Sequence, residues 1–67
     1  MKHYYEVLWY EGQNEHEALC GDYYTKKYLS RKQALAYYEK HKNDANKFGW
    51  WVTERDEYGY ILDDLIY

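Results

Sequence analysis

The sequence predicts one α+β domain of ββαββ order: a four-stranded, mainly antiparallel sheet with a single helix packed on one face. Three observations carry that reading. Segments rich in Tyr, Trp and Val lie on both sides of the middle of the chain, and these residues favour strands. One segment with helical spacing begins at a capping residue, Ser30. Glycine-bearing polar stretches, Gly12–Asp22 and Asp56–Gly59, punctuate the rest.

The first strand runs from His3 to Glu11. His3, Tyr5, Val7 and Trp9 share one face, and Tyr4, Glu6, Leu8 and Tyr10 the other. Glu6 marks the second face as the outer one, so Tyr5, Val7 and Trp9 are expected inside. Gly12–Asp22 reads as a polar loop, long for a hairpin connection. Tyr23–Leu29 follows as a second strand. Its central Lys26–Lys27 pair suits a sheet edge, where lysine discourages unwanted pairing.

Ser30-Arg31-Lys32-Gln33 fits a capping box, with Leu29 and Ala34 placed for a hydrophobic staple. The helix is expected to reach about Asn46, with Ala34, Leu35, Tyr38, His41 and Ala45 on its inner face. Phe48–Arg55 is the third strand, with Trp50 and Val52 on one side and Trp51, Thr53 and Arg55 on the other. Asp56-Glu57-Tyr58-Gly59 makes a turn, Gly59 being suited to positive φ. Tyr60–Leu62 returns as the fourth strand, Asp63–Asp64 bulges or ends it, and Leu65–Tyr67 is an apolar tail packing on the domain or on a second copy. Two strand orders fit this pattern. One sets the first and last strands side by side and parallel at the centre, as in a β-grasp arrangement. The other is a simple four-strand order crossed by the helix.

Composition bounds the function. A chain of 67 residues is a single domain, and at this size folding hides only about 60% of the unfolded surface. Cys20 is the only cysteine, so no internal disulfide adds stability. Aromatic packing and self-association remain. There are 11 Tyr, 3 Trp and 1 Phe, and each ring can bury about 150–250 Å². One helix covers one sheet face only. The uncovered face inherits Tyr4, Leu8, Tyr10 and Trp51, joined by Tyr23 or Tyr60. Such a patch either covers itself by cross-strand stacking, forms a homodimer, or receives another macromolecule.

The net charge of −3 does not favour nucleic acid as partner, because phosphate binding needs a surplus of Lys and Arg. Lys26, Lys27, Arg31 and Lys32 are the cations a single strand would use, opposed by Glu6, Glu54, Asp63 and Asp64. No apolar run follows the N-terminus and none is long enough to span a bilayer, so a cytoplasmic location is expected and no membrane partner.

No catalytic site, metal site or cofactor is expected. His16 and Cys20 have helical ligand spacing but fall in the expected loop without a third ligand. The adjacent carboxylates Glu15/Glu17, Asp56/Glu57 and Asp63/Asp64 fit solvated turns. The function expected is non-enzymatic binding of a protein, with Tyr4, Leu8, Tyr10 and Trp51 as contact residues and Asp56 and Glu57 meeting a basic partner; the alternatives are a single-stranded nucleic-acid binder using the sheet aromatics and a structural homo-oligomer.

The stretch Tyr24-Thr25-Lys26-Lys27-Tyr28-Leu29-Ser30-Arg31-Lys32-Gln33-Ala34-Leu35, together with Trp51-Val52-Thr53-Glu54-Arg55-Asp56-Glu57-Tyr58-Gly59, resembles small uncharacterised proteins encoded by phages and prophages of Gram-positive bacteria. The quoted stretches make up about a third of the chain, and neither the first loop nor the Trp50–Trp51 pair belongs to the shared pattern. It implies a ββαββ fold, no catalytic residue and a bacterial host cytoplasm. It also makes a host regulator or a defence enzyme, such as a CRISPR effector, the kind of protein this chain would inhibit.

Overall fold

Val7, Trp9 and Val52 stand on one side of a four-stranded sheet, and Ala34 meets them from the helix laid across it. The computed structural model describes residues 3–66. The strands are β1 (Tyr4–Glu11), β2 (Tyr23–Tyr28), β3 (Lys47–Arg55) and β4 (Ile61–Ile66); the helices are α1 (Glu15–Leu19) and α2 (Arg31–His41). The sheet order is β2-β1-β3-β4, and every neighbouring pair is antiparallel. The fold is therefore α+β in ββαββ order with one main helix. The β-grasp arrangement is ruled out: β1 pairs with β3, not β4, and α2 carries the chain from β2 across β1 to β3.

Among the described residues, seven rings lie on the α2 side. Trp9 is their centre, with its ring 5.4 Å from Trp50, 5.3 Å from Tyr37 and 6.1 Å from Tyr24. Tyr5, Tyr28 and Tyr38 complete the layer. Large rings on the strands suit a helix whose closest approach is made by an alanine, and Ala34 is fully buried. Tyr37 was not among the expected inner residues, yet it packs on Trp9. The stripe is wider than strict spacing suggests because rings reach sideways.

Three boundaries and one expected contact differ from the sequence expectation, each for a local reason. Gly12–Asp22 contains α1: Asn14 Oδ1 accepts from Glu17 N at 2.9 Å, acidic Glu15 and Glu17 occupy the first turn, and Ala18 is fully buried. Gly12 lets α1 close on β1, since a Cβ there would fall 2.6 Å from the Ala18 backbone N. Helix α2 stops at His41, five residues early. Asp44 Oδ2 pairs with His41 Nδ1 at 2.8 Å and accepts from Lys47 Nζ at 3.1 Å, which draws the chain into turns. Ala45 consequently lies past the helix and exposed. The cap at Ser30 forms, its Oγ accepting from Gln33 N at 3.4 Å, but the staple does not, because Leu29 is 85% exposed. Strand β4 continues through Asp63–Asp64 to Ile66, with register shifts on either side of that pair. Leu65 and Ile66 pack on the core; Tyr67 lies outside the described residues.

Gly49 shapes the middle of the sheet. It has φ +66 and sits where the β1–β3 register shifts, so that Leu8 faces Trp51 while Tyr10 faces Phe48. A left-handed glycine at such a bulge admits one extra residue. The consequence is that Phe48 and Trp51 both fall on the face away from α2, and Trp50 on the α2 face beside Trp9.

A candidate protein-binding face

Tyr4, Leu8, Tyr10 and Trp51 all lie on the sheet face opposite α2, as the cross-strand pairs Leu8–Trp51 and Tyr4–Arg55 require. The structure brings these four together. All four are half-buried, and charged neighbours lean over two of the rings. Lys27 Nζ stands 5.3 Å from the Tyr4 ring centre, and the Arg55 guanidinium 5.9 Å from that of Trp51. The indole N–H of Trp51 donates to Asp64 Oδ1 at 2.7 Å, which fixes the ring's orientation. Tyr10 meets Tyr23 edge-on at 6.4 Å. At the Tyr10 end, Leu19 of α1 stands beside the ring: a Cβ on Gly49 would lie 2.9 Å from Tyr10 Cδ2 and 3.1 Å from Leu19 Cδ2.

Arg55 organises the middle of this face. It pairs with Glu6 Oε1 at 3.3 Å, donates from Nε to Thr53 Oγ1 at 3.1 Å and from a terminal N–H to the Gly59 carbonyl at 3.0 Å. Glu6, whose charge marked this face as the outer one, is answered across the sheet. Thr53, 1% exposed, has its hydroxyl satisfied by the same arginine. Cross-strand pairing of this kind is the unit of sheet stability. Here it also holds the rings in place.

The two acidic residues expected at the contact have different settings. Asp56 is half-buried and holds the β3–β4 hairpin: its Oδ1 accepts from Tyr58 N at 2.9 Å and Tyr60 N at 3.0 Å. Gly59 N donates to the Asp56 carbonyl at 3.0 Å, and Gly59 has φ +89. This is a three-residue hairpin loop closed by a left-handed glycine. Glu57 is exposed at the loop tip. Sequence reasoning named Tyr60 but missed its neighbours in an accessible apolar run from the hairpin into β4: Tyr58 is 78%, Tyr60 71% and Leu62 48% exposed. The signal was there in the consecutive apolar residues on both sides of Asp63–Asp64.

The histidines are placed as follows. His16 and Cys20 come together on α1, Nε2 to Sγ 4.0 Å, and both are exposed. No group of three metal-ligating side chains occurs among the described residues. His3 Nδ1 lies 2.9 Å from Glu54 Oε2, at the opposite end of β1 from α1. Away from the face, the pairing with His41 and then with Lys47 holds the Asp44 carboxyl below its ordinary 3.8. The hydrogen bond to Glu39 raises Lys42 above its ordinary 10.5. No helix among the described residues is long and apolar enough to cross a membrane.

Compared with protein-family models, curated proteins and solved structures, this chain matches none.

Proposed function

We propose that this chain is a small non-enzymatic binding protein that acts by occlusion, laying its aromatic and acidic surface onto a protein partner. The observation that carries the reading is the apolar array of Tyr4, Leu8, Tyr10 and Trp51 on the sheet face α2 leaves uncovered, its three rings each set against a neighbouring side chain. Rings fixed before binding lose little entropy on contact, which is why Tyr and Trp dominate binding surfaces. Glu57 at the hairpin tip and Asp64 on the open face of β4, both exposed, suit a basic target surface. The sequence resemblance directs the choice of target to a host regulator or a defence enzyme such as a CRISPR effector, in a bacterial cytoplasm.

The experiment is affinity capture from bacterial lysate with wild type, Trp51→Ser and Glu57→Lys, each shown to be folded by circular dichroism. The expected result is a specific protein held by wild type and lost with Trp51→Ser. Equal retention by all three, or none by wild type, would overturn the reading. Inhibition of purified CRISPR effectors by wild type, and not by Trp51→Ser, tests the narrower target.

A further inference from the structure

The sheet has two free edges, and they carry opposite charge. β2 presents Lys26 and Lys27, and β4 presents Asp63 and Asp64; all four are exposed. Each edge also offers a row of backbone N–H and C=O groups with no partner on that side, the usual template for adding a strand.

Charge excludes the symmetric pairings. Two β2 edges meeting across a two-fold axis would set lysines against lysines. Two β4 edges would set aspartates against aspartates. Like charges directly opposite destabilise a strand pair. The heterologous pairing, β4 of one copy against β2 of the next, does the reverse.

Polarity and side-chain facing both permit it. β1 is antiparallel to β2 and to β3, and β3 to β4, so β2 and β4 run in opposite directions. A second copy that continues the sheet with its helix on the same side therefore sets its β2 antiparallel to the first copy's β4. Lys26 pairs with Val7, which also pairs with Val52, so Lys26 is on the α2 face; Asp63 pairs with Glu54, which pairs with Tyr5, on that same face. Lys27 and Asp64 both fall on the open face, through Glu6 and Thr53. Each edge thus offers one charge to each face. Setting Lys26 opposite Asp63 makes Lys27 the diagonal neighbour of Asp64, and setting Lys27 opposite Asp64 makes Lys26 the diagonal neighbour of Asp63. Either register satisfies both pairs, within reach of long side chains. The contact also covers exposed apolar area, Tyr24 on one edge and Leu62 on the other, each 48% exposed.

We infer that copies of this chain associate head to tail, β4 against β2, through Asp63–Asp64 and Lys26–Lys27. A head-to-tail contact does not close at two, so it builds an open chain or a ring. The inference goes beyond the proposed function: it uses the sheet edges, and of the groups that hold the aromatic face it draws on two, Lys27 over the Tyr4 ring and Asp64 beneath the Trp51 indole N–H.

The test is sedimentation of wild type and two charge-reversed variants, from about 10 µM to about 1 mM, where mass action exposes weak association. Lys26→Asp/Lys27→Asp makes both edges acidic, and Asp63→Lys/Asp64→Lys makes both basic. Wild type should grow in mass with concentration, past the dimer. Each variant alone should need at least about tenfold higher concentration to do so. An equimolar mixture of the two should assemble again, because their edges complement each other alternately. Wild-type association should also weaken as sodium chloride rises to about 1 M and the screening length falls to about 3 Å. That readout holds even if a variant does not fold. A wild type of constant monomer mass, an assembly that stops at two, or a mixture of folded variants that stays monomeric overturns the inference.

Discussion

Replacing Gly49 with alanine tests how much of the open face depends on one bulge. Two penalties are expected. At φ +66 the left-handed backbone disfavours an L side chain by about 1–2 kcal/mol, offset by about 0.4–1 kcal/mol from a stiffer unfolded chain. The new Cβ would also lie 2.9 Å from Tyr10 Cδ2 and 3.1 Å from Leu19 Cδ2, well inside the usual carbon–carbon separation of about 3.5–4.0 Å. Leu19 is 49% exposed and can swing away. The Tyr10 ring is braced by Tyr23 and cannot move as freely. Overpacking at such a point adds about 1–2 kcal/mol, so the total is about 2 kcal/mol and the melting temperature should fall by about 8–16 °C. Gly59→Ala is the internal control. It has φ +89 and its Cβ would meet only the Tyr4 hydroxyl, at an ordinary 3.6 Å. That variant carries the backbone penalty alone and should fall by about 5 °C. Thermal unfolding followed by circular dichroism measures both. Equal shifts in the two variants would refute the steric part of the reasoning, and no shift in either would refute the backbone part.

Three further outcomes follow from the same contacts. Asp56→Ala should lower stability by about 1–2 kcal/mol, the value of a side-chain cap that satisfies backbone donors, whereas Asp56→Asn keeps the accepting Oδ1 and should lose less; urea unfolding separates this turn role from any role of the charge in binding. A double-mutant cycle on Arg55→Met and Glu6→Gln should show a coupling of about 1 kcal/mol, since the pair is at 3.3 Å and mostly shielded, with 18% and 14% of the two side chains exposed; a coupling indistinguishable from zero would mean that Arg55 acts through its other two bonds. On acidification, Asp44 contributes stability that is present above 3.8 and lost as pH falls through its lower folded value, because its partners favour the carboxylate; the urea midpoint should drop in that acid range, and Asp44→Asn should remove that part of the drop.

Much of the fold was legible because residue types and spacing agree. Val7 and Trp9 alternate with Glu6, and Ser30 with Gln33 marks a helix start; each lands where that reasoning puts it. The misses share a cause. A five-residue helix is too short for periodicity to register, and its one local sign, Asn14 three residues before Glu17, lay inside a stretch bracketed by glycines. Asp63–Asp64 reads as a bulge or an end because acids are rare in strands; the register shifts on either side of the pair bear out the bulge, and the strand runs on because an edge strand can turn charges to solvent on both faces. Strand order was illegible for a stronger reason. Both faces of β1 are partly apolar, so nothing in its own residues says which strand lies on which side. For the face itself, the sequence places Tyr4, Leu8, Tyr10 and Trp51 together. It does not show that Lys27 and Arg55 lean over them and move the most open rings to Tyr23, Tyr58 and Tyr60.

That displacement changes what a partner would meet. The net charge of −3 suggests a nearly neutral surface, but the strand order β2-β1-β3-β4 sorts the charges: lysines at one edge, aspartates at the other, and an ion pair between Glu6 and Arg55 in the middle. A protein docking on the open face therefore feels a gradient running across the strands, which orients it more than it attracts it. The rings then supply contact area in the one orientation the gradient selects. The same gradient lets one copy follow another along the strand-to-strand direction with every aromatic face pointing the same way. In the proposed binding and the inferred assembly, orientation on a partner and polarity of the chain of copies would both follow from one feature, the placing of Lys26–Lys27 and Asp63–Asp64 at opposite edges, and reversing either pair should disturb both.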